Sequence, residues 1–355
     1  MKVNTIEALI TILKERKQKV FIWGTGVNGK ALGVIFNERN VSWDGYFNNF
    51  EYDEKCINGK EVIVGDKNLF LDGLYILAMR NYEEVYNQLL PKVGDNNLIV
   101  PDGIYFFREL EQSTNYPACY SNEIKEFHLK HKDSRCFIIG NGPSLQIEDL
   151  ETIYNNKDIS FGSNYIFKCF EKTNWRPNYY FCTDASGIES CFGGMKGLKY
   201  ISENCEQIFL RYVEQLKSYK ERIENISFIN SVYSSSEDNF DFSSDCSKDV
   251  IIGYTVTYVM IQMAVYMGFS KIYLLGMDHS FSRERTKDGQ FIECKKQDHS
   301  QILDCGQVNY FEIDKTTLAY MAARKYAETH GVRIYNATRG GKLEVFERFN
   351  FDKLF

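Results

Sequence analysis

Short apolar runs alternate with amphipathic stretches along the chain, a pattern that is typical of an α/β protein. The first clear run, at 19–23, predicts a buried strand. It ends in Gly24-Thr25-Gly26-Val27-Asn28-Gly29, which matches G-x-G-x-x-G. A helical pattern over 30–38 follows, and a second strand pattern occupies 43–47. This order predicts the start of a Rossmann-type unit.

The position after the second strand distinguishes a redox domain from other Rossmann-like domains. Dinucleotide-binding domains usually place an acidic residue there to bind the ribose hydroxyls. Here Asn48 and Asn49 occupy that position. We therefore predict a Rossmann-like domain over 1–110 that has a structural or regulatory role and does not bind NAD tightly.

A second strand-and-turn motif opens the larger part of the chain. The apolar run 136–139 leads directly into Gly140-Asn141-Gly142-Pro143-Ser144, before a helical pattern over 145–154. The two glycines allow a sharp turn and a close approach of a ligand. Pro143 suits a first helical position, and Ser144 would lie where a helix leaves N–H donors open. The motif predicts an anion-binding turn, and the alternative is a tight turn without a ligand.

Polar residues recur where the next predicted strands end. Asn164 follows the run 159–163, and Asp184 follows the run 179–182 shortly after Thr183. Together with Asn141, they would lie at the carboxyl edge of a parallel sheet, where open α/β sheets bind ligands. Each of them could instead be a turn-forming residue. We predict a cleft lined by Asn141, Ser144, Asn164, Asp184 and Thr255.

Three later segments complete the predicted domain. Gly253 and Thr255 precede an apolar helix over 258–267, where they could present donors to an anion. A buried strand at 271–275 ends in Gly276-Met277-Asp278-His279. The charged loop 282–307, which contains His299, has the length of a lid or binding loop. A helix over 312–329 and a strand over 332–335 follow.

Composition limits the classes of function. A length of 355 residues suggests two domains, which we place at 1–110 and 135–355 with a linker over 111–134. The net charge of -6 argues against a nucleic-acid partner. No apolar run of about 18 residues exists to span a membrane. The N-terminus lacks a signal-peptide pattern. Ten cysteines without a Cys-x-x-Cys pair indicate reduced thiols, a cytoplasmic location and no zinc site.

Five motifs of the second domain together resemble one known family, the domain named after 6-hydroxymethylpterin diphosphokinase. This domain also occurs in bacterial motility accessory factors, and it is similar to bacterial lipooligosaccharide sialyltransferases. The motifs are Gly140-Asn141-Gly142-Pro143-Ser144, Trp175-Arg176-Pro177-Asn178-Tyr179-Tyr180, Gly253-Tyr254-Thr255-Val256-Thr257, Tyr273-Leu274-Leu275-Gly276-Met277-Asp278 and Tyr335-Asn336-Ala337-Thr338-Arg339-Gly340-Gly341-Lys342-Leu343.

The resemblance implies a fold and a set of site residues. The fold would be α/β, with a Rossmann-like N-terminal domain before a larger Rossmann-like domain of sialyltransferase-like type, a variant of the GT-A fold. The residues that would bind the nucleotide or its phosphate are Gly140, Asn141, Gly142, Ser144, Asn164, Asp184, Gly253, Thr255 and Asn336. The catalytic candidates are His299, then His279, with Asp278 beside it.

The implied activity is transfer of a sugar, such as a nonulosonic acid from a CMP-activated donor, to a surface glycan. Such an enzyme would require no cofactor. Its partners would be the donor, a glycan acceptor and further copies of the chain, and peripheral membrane association is compatible with it. One alternative is ATP-dependent diphosphoryl transfer to a pterin alcohol, with Mg²⁺ held by Asp184 and Asp278. Another is a non-catalytic nucleotide-binding protein.

Overall fold

The chain divides into two compact units, Met1–Asn115 and Tyr116–Phe355. The computed structural model describes residues 1–49, 55–65, 69–79, 82–101, 106–107, 110, 116–184, 192–213, 216–234, 239–280, 283–285, 291–293, 300–303 and 313–355. Both units are built on largely parallel sheets, which confirms the α/β prediction. None of the helices in these ranges is long and apolar enough to cross a bilayer.

The N-terminal unit is Rossmann-like, with the strand order β1-β7-β6-β2-β3-β5-β4 among its described residues. All of these strands pair in parallel except β4, which is antiparallel to β5. Its elements are β1 (Lys2–Val3), α1 (Ile6–Lys14), β2 (Val20–Trp23), α2 (Val27–Glu38), β3 (Gly45–Asn48), β4 (Cys56–Ile57), β5 (Lys60–Val64), β6 (Leu74–Leu77), α3 (Glu83–Val93), a 3₁₀ turn (Asp95–Asn97) and β7 (Leu98–Pro101).

The glycine motif of this unit is explained by close packing. A Cβ on Gly29 would lie 1.9 Å from the carbonyl oxygen of Gly24, so helix α2 can follow β2 this closely only with glycine there. Beyond β3, the side-chain amides of Asn49 and Gln88 bond to each other at 3.0 and 3.2 Å. In this unit, the position at which dinucleotide-binding domains place the ribose-binding acid is occupied by Asn49. Its amide is joined to Gln88 of helix α3.

The second unit contains the remaining elements. They are α4 (Ala118–Lys125), β8 (Arg135–Ile139), α5 (Ile147–Asn155), β9 (Ile159–Ser163), a 3₁₀ helix (Asn164–Cys169), β10 (Tyr179–Cys182), α6 (Met195–Ser202), β11 (Gln207–Arg211), α7 (Lys217–Lys220), β12 (Ile226–Ile229), β13 (Ser231–Tyr233), β14 (Val250–Ile252), α8 (Val256–Tyr266), β15 (Lys271–Leu275), β16 (Arg283–Arg285), β17 (Phe291–Glu293), a 3₁₀ turn (Gln301–Leu303), α9 (Ile313–Thr329), β18 (Arg333–Asn336), β19 (Glu347–Arg348) and a 3₁₀ turn (Phe351–Lys353).

The main sheet of this unit has the order β12-β11-β10-β9-β8-β15-β18-β19 among the described residues, and all of its pairs are parallel. From β8 the chain builds outward to β12, and it then returns to the other side of β8 with β15. The order of the strands therefore reverses between β8 and β15. In open α/β sheets, the crevice outside the carboxyl ends at such a switch point is where ligands bind.

Strand β8 contributes to both faces of the sheet because successive side chains point in opposite directions. Cys136 and Ile138 pack in the core that includes α8 and α9. Phe137 and Ile139 pack in the opposite core, with Leu150 of α5. All four side chains of this run are fully buried, which explains why the sequence shows a continuous apolar run rather than an alternation.

The segment 116–134, expected to be part of a linker, folds with the second unit. It contains helix α4, and Ile124 and Phe127 pack into the core beneath α8. The hydroxyl of Ser121 donates to the carbonyl oxygen of Ser247 at 2.6 Å. The sequence does not reveal this buried face, because most residues around Ile124 and Phe127 are charged or polar. A helix at the edge of a core can pack with only a few apolar side chains.

Candidate active site

The turn after β8 is joined by hydrogen bonds to the turn after β15 at the switch point. The N–H of Gly140 donates to the carbonyl oxygen of Leu275 at 2.7 Å, and that of Gly142 donates to Gly276 at 2.9 Å. A Cβ would lie 2.4 Å from the Gly276 oxygen at Gly140 and 2.1 Å from Asp278 Oδ2 at Gly142. Glycine is required at both positions because the two turns approach so closely.

Asp278 holds the glycine turn through Ser144. Its Oδ2 accepts the main-chain N–H of Ser144 at 3.1 Å and the Ser144 hydroxyl at 2.8 Å. The helix expected over 145–154 spans Ile147–Asn155 with Gln146 as its N-cap, so Pro143 does not occupy a first helical position. That prediction was wrong at the helix start, because the donors of Ser144 are bonded to a carboxylate within the chain.

Asn141 carries a buried polar atom that the protein itself does not satisfy. Its Nδ2 donates to the carbonyl oxygen of Ser163 at 3.1 Å, which links the glycine turn to the end of β9. Its Oδ1 is buried and has no hydrogen-bond partner in the described part of the chain. An unpaired buried acceptor costs about 1–3 kcal/mol, so it calls for an explanation.

Ser300 fixes a distant segment onto the same turn. Its N–H donates to the carbonyl oxygen of Asn141 at 2.8 Å, and its hydroxyl donates to that of Leu145 at 3.1 Å. No feature of the sequence around Ser300 predicts this contact. The neighbouring catalytic candidate, His299, lies outside the described residues.

Asn164 and Asp184 follow neighbouring strands at the same edge of the sheet. Asn164 adopts a left-handed backbone conformation with φ of 50°, and its carbonyl oxygen accepts the hydroxyl of Tyr180. It directly follows Ser163, the residue to which Asn141 bonds. Asp184 is exposed two residues beyond the end of β10. The structure thus brings Asn164 to the Asn141 turn, and it places Asp184 one strand farther along the edge.

The start of α8 meets the exit of β15. Thr255 is the N-cap, and its hydroxyl accepts the N–H of Thr257 at 3.3 Å. The hydroxyl of Thr257 lies 3.5 Å from the sulfur of Met277. A Cβ on Gly253 would lie 2.5 Å from the ring of Tyr258, so packing accounts for that glycine. Among these residues, Thr255 is the one whose capping position suits an anion.

The C-terminal turn closes the site from the other side. Asn336 is fully buried, donates to the carbonyl oxygen of Leu343 at 2.7 Å and accepts the N–H of Thr338 at 3.0 Å. Both ends of its amide therefore hold the turn, and the buried side chain, expected to contact the nucleotide, is used within the protein instead. The hydroxyl of Thr338 accepts the N–H of Met277 at 3.0 Å, and the N–H of Lys342 donates to the carbonyl oxygen of Asp278 at 2.7 Å.

His279 has a defined tautomer when it is neutral. Its Nε2 lies 2.8 Å from the hydroxyl of Thr317, and that hydroxyl is 2.8 Å from the carbonyl oxygen of Ile313. Because two acceptors cannot face each other at this distance, the Thr317 hydroxyl donates to Ile313 and accepts from His279. Nε2 then carries the proton, and Nδ1 is the basic nitrogen of the neutral ring.

A cavity of about 710 Å³ opens beside His279. Helix α9 forms one wall, and the C-terminal turn forms another. The lining residues are His279, Ile313, Thr317, Met321, Arg324, Lys325, Glu328, Lys342, Glu344 and Val345. Thr317 and Lys325 could not be identified from the sequence, because isolated hydroxyl and lysine side chains on a helix carry no motif. Lys342 lies within the motif at 335–343, but that motif does not mark it as a residue that lines a cavity.

The described residues contain no cluster of metal ligands. Among them, no group of three or more His, Cys, Asp or Glu side chains could hold a metal ion. Of the two carboxylates that the diphosphokinase hypothesis would use, Asp278 already accepts two hydrogen bonds from Ser144 through Oδ2. This part of the chain therefore does not form the carboxylate cluster on which Mg²⁺ binding usually depends.

Comparison with known proteins agrees with the motifs. Residues 111–284 match the family model described as 6-hydroxymethylpterin diphosphokinase MptE-like. The chain therefore carries an MptE-like domain. This MptE-like domain includes the glycine turn after β8, the start of α8 and the Asp278 exit of β15, which meet at the switch point. No curated protein matches the chain.

Two solved structures are similar to the chain that carries this MptE-like domain. The first is the MAf glycosyltransferase from Magnetospirillum magneticum AMB-1, with 12% identity and a TM-score of 0.40. The match covers 96% of this chain, and this chain spans 59% of the length of that protein. The second is the sialyltransferase CstII from Campylobacter jejuni in complex with cytidine-5'-monophosphate, with 15% identity and a TM-score of 0.37 over 61% of this chain and 85% of CstII.

Proposed function

We propose that the second unit is a glycosyltransferase that uses a nucleotide-activated sugar, such as a CMP-activated nonulosonic acid, to build a bacterial surface glycan. The observation that carries the proposal is the unsatisfied Oδ1 of Asn141 at the switch point. A nucleotide offers the donors that would satisfy it, namely the exocyclic amine of a base and the ribose hydroxyls. The motif resemblance, which assigns Asn141 and Asn164 to the donor, supports the same placement.

The proposed base is a histidine beside the acceptor. The acceptor hydroxyl oxygen would attack the anomeric carbon while the bond from that carbon to the phosphate oxygen breaks, and its electron pair would leave with the phosphate. The hydroxyl proton would pass to the imidazole of His279, which the Thr317 hydroxyl positions through Nε2. His299 remains the alternative base.

The leaving phosphate would gain negative charge near the start of α8. Helix α8 has its N-terminus at the same edge of the sheet, next to Met277, and helix N-termini favour anions. In the proposal, these donors stabilise the charge on the leaving phosphate without a metal ion. The proposal therefore includes no cofactor, and it extends to a cytoplasmic location and a homo-oligomeric state.

A nucleotide panel would test the proposal first. Thermal stabilisation would be measured with CMP, CDP, UDP, GDP and ATP, since a ligand of the native state raises its stability. We expect CMP or another sugar-carrying nucleotide to stabilise the wild type and to stabilise the Asn141→Ala variant far less. Ser202→Ala, which changes an exposed hydroxyl at the end of α6, is the matched control.

A reaction assay would then separate the three hypotheses. Chromatography would follow the hydrolysis or transfer of CMP-activated sugars, and in parallel the release of AMP from ATP with a hydroxymethylpterin. Sugar transfer supports the proposal, whereas AMP release supports the diphosphokinase. Nucleotide binding without either reaction would identify a non-catalytic binding protein.

A further inference from the structure

The cavity beside His279 has an excess of positive charge. The two acids of its wall are already neutralised by arginines: Glu328 bonds to Arg324 at 2.7 Å, and Glu344 bonds to Arg348 at 2.5 Å. Arg324 is further held by the carbonyl oxygen of Val345 at 3.0 Å. Each acid of the cavity wall is therefore paired with an arginine and adds no unpaired negative charge.

Two lysines of the wall are not used in this way. Lys325 on α9 and Lys342 on the C-terminal turn form no ion pair in the described part of the chain. Both are exposed, so they are available to a ligand. Ile313, Met321 and Val345 supply apolar surface between the charged groups. A mostly apolar pocket with a few convergent charges fits an organic anion.

The cavity adjoins the exit of β15, which forms part of the candidate active site. His279 follows Asp278 in the chain, and the N–H of Lys342 donates to the carbonyl oxygen of Asp278 at 2.7 Å. A Cβ on Gly341 would lie 2.9 Å from the Cα of Asp278, so the turn packs on that residue. A molecule in the cavity would therefore lie beside the place where the proposed donor reacts.

We infer that this cavity binds a negatively charged saccharide, the acceptor of the transfer, an assignment that rests on the proposed function. The charge is carried by a carboxylate or a phosphate on the sugar, and Lys325 and Lys342 bind it. The cavity volume of about 710 Å³ is in the range of pockets that hold ligands of several rings.

Binding of matched sugars tests the assignment. The probes are trigalacturonate, its uncharged methyl ester, mannose 6-phosphate and mannose, titrated calorimetrically at low and high salt. We expect at least one charged probe to bind about tenfold more tightly than its uncharged counterpart, with the difference reduced by salt. Preference for trigalacturonate indicates a carboxylated sugar, and preference for mannose 6-phosphate indicates a phosphorylated one.

Substitution of the lysines locates the binding. Lys325→Met together with Lys342→Met keeps most of the unbranched side chain and the Lys342 main-chain bond to Asp278. We expect it to weaken binding of the charged probe about tenfold. Arginine at both positions should restore binding. Lys199→Met, which changes an exposed lysine of α6 outside the cavity, should leave binding unchanged.

The outcomes separate this inference from the proposed function. Nucleotide binding without any preference for the charged probes overturns the inference and leaves the transferase proposal standing. Equal binding of the charged probe by the wild type and the double variant also overturns it. Charged-sugar binding that depends on the two lysines, in a protein that binds no nucleotide, supports the cavity as an anionic-sugar site and overturns the donor assignment.

Discussion

The Asp278 carboxylate accepts both the main-chain N–H and the hydroxyl of Ser144 through a single oxygen, Oδ2. Asp278 follows β15 and Ser144 follows β8, so this contact fastens together the two turns at the switch point of the sheet. Because both donors of Ser144 bond to Asp278, they are not available to bind a phosphate. The glycine turn then presents Asn141 rather than an open helix N-terminus.

Removing the carboxylate should loosen the site. Asp278→Ala leaves the Ser144 N–H without its partner, and we expect a loss of about 2 kcal/mol in the free energy of unfolding together with weaker nucleotide binding. Urea denaturation and calorimetry measure the two effects. Asp278→Asn keeps one acceptor oxygen, so we expect a smaller loss in the free energy of unfolding. Wild-type stability in the alanine variant would contradict the structural role of this contact.

The two site glycines should tolerate no side chain. In Gly142→Ala, the new methyl group would meet Asp278 Oδ2 at 2.1 Å and the Gly276 oxygen at 2.6 Å, so the two turns must separate. We expect a loss of about 2 kcal/mol in stability and loss of nucleotide binding. Gly26→Ala is the control, because its Cβ would meet nothing within 4 Å and its φ is -72°. A Gly142 variant as stable as this control would argue against so close an approach of the two turns.

Separate measurement of donor affinity and turnover should identify the base. His279→Asn suits the left-handed backbone at φ of 51° and removes the imidazole. If His279 is the base, turnover falls about 10²–10⁴-fold while donor affinity stays near the wild-type value. Thr317→Val, which removes the hydroxyl that accepts from Nε2, should alter the pH profile of turnover.

The corresponding His299→Ala variant tests the alternative. A large loss of turnover in this variant, with His279→Asn close to wild type, would assign the base to His299. Asn141→Ala should behave differently from both, by weakening the donor affinity more than it lowers turnover at saturating donor.

The stability of the second unit should fall in mild acid because of His131. Burial lowers the pKa of His131, and its Nε2 lies 2.6 Å from the hydroxyl of Tyr179. Because the folded-state pKa is below the unfolded value of about 6.5, the unfolded chain binds more protons between the two. The stabilising contribution is therefore complete above about pH 6.5 and is lost as the pH falls through the lowered pKa.

Thermal unfolding at about pH 8 and at about pH 5 measures this effect. His131→Phe should reduce the difference between the two melting temperatures, because it keeps a ring against Phe269 and removes the titrating group. An unchanged difference would assign the acid sensitivity to other residues.

The N-terminal unit should not bind NADH tightly, although it has the G-x-G-x-x-G motif. The position of the ribose-binding acid carries Asn49, whose amide is bonded to Gln88. Fluorescence titration should show no binding of NADH in the micromolar range. Micromolar binding that is abolished by Gly26→Trp would contradict this prediction.

In the second unit, the bounds of the fully buried strands could be predicted well from the sequence. The runs that became β9, β10 and β15 have the expected bounds, because strands buried on both faces are continuous apolar segments. The start of α5 could not be predicted, because the donors of Ser144 bond to Asp278, which is 134 residues away in the chain. Local sequence does not contain that partner.

The candidate site could also be predicted only in part, because the sequence indicates where strands end but not which distant residues they meet. Asn141 and Asn164 follow strands, and parallel strands bring their carboxyl ends to one edge. Asn336 is the last residue of strand β18, yet its amide is used within the turn that reaches Leu343. The meeting of Lys325 and Lys342 in one cavity wall, and the Ser300 contact, arise from packing between distant segments, which the motifs do not record.

The position of β8 in the sheet has a consequence for the synthesis of the chain. Strands β9 to β12 follow β8 directly, but its other neighbour, β15, emerges from the ribosome more than a hundred residues later. Until then β8 is an exposed edge of mainly apolar strand, which is open to pairing with other chains. The long delay between these neighbours gives the unit a high contact order and predicts slow folding. A nascent chain that ends before β15 is thus the form most prone to aggregation.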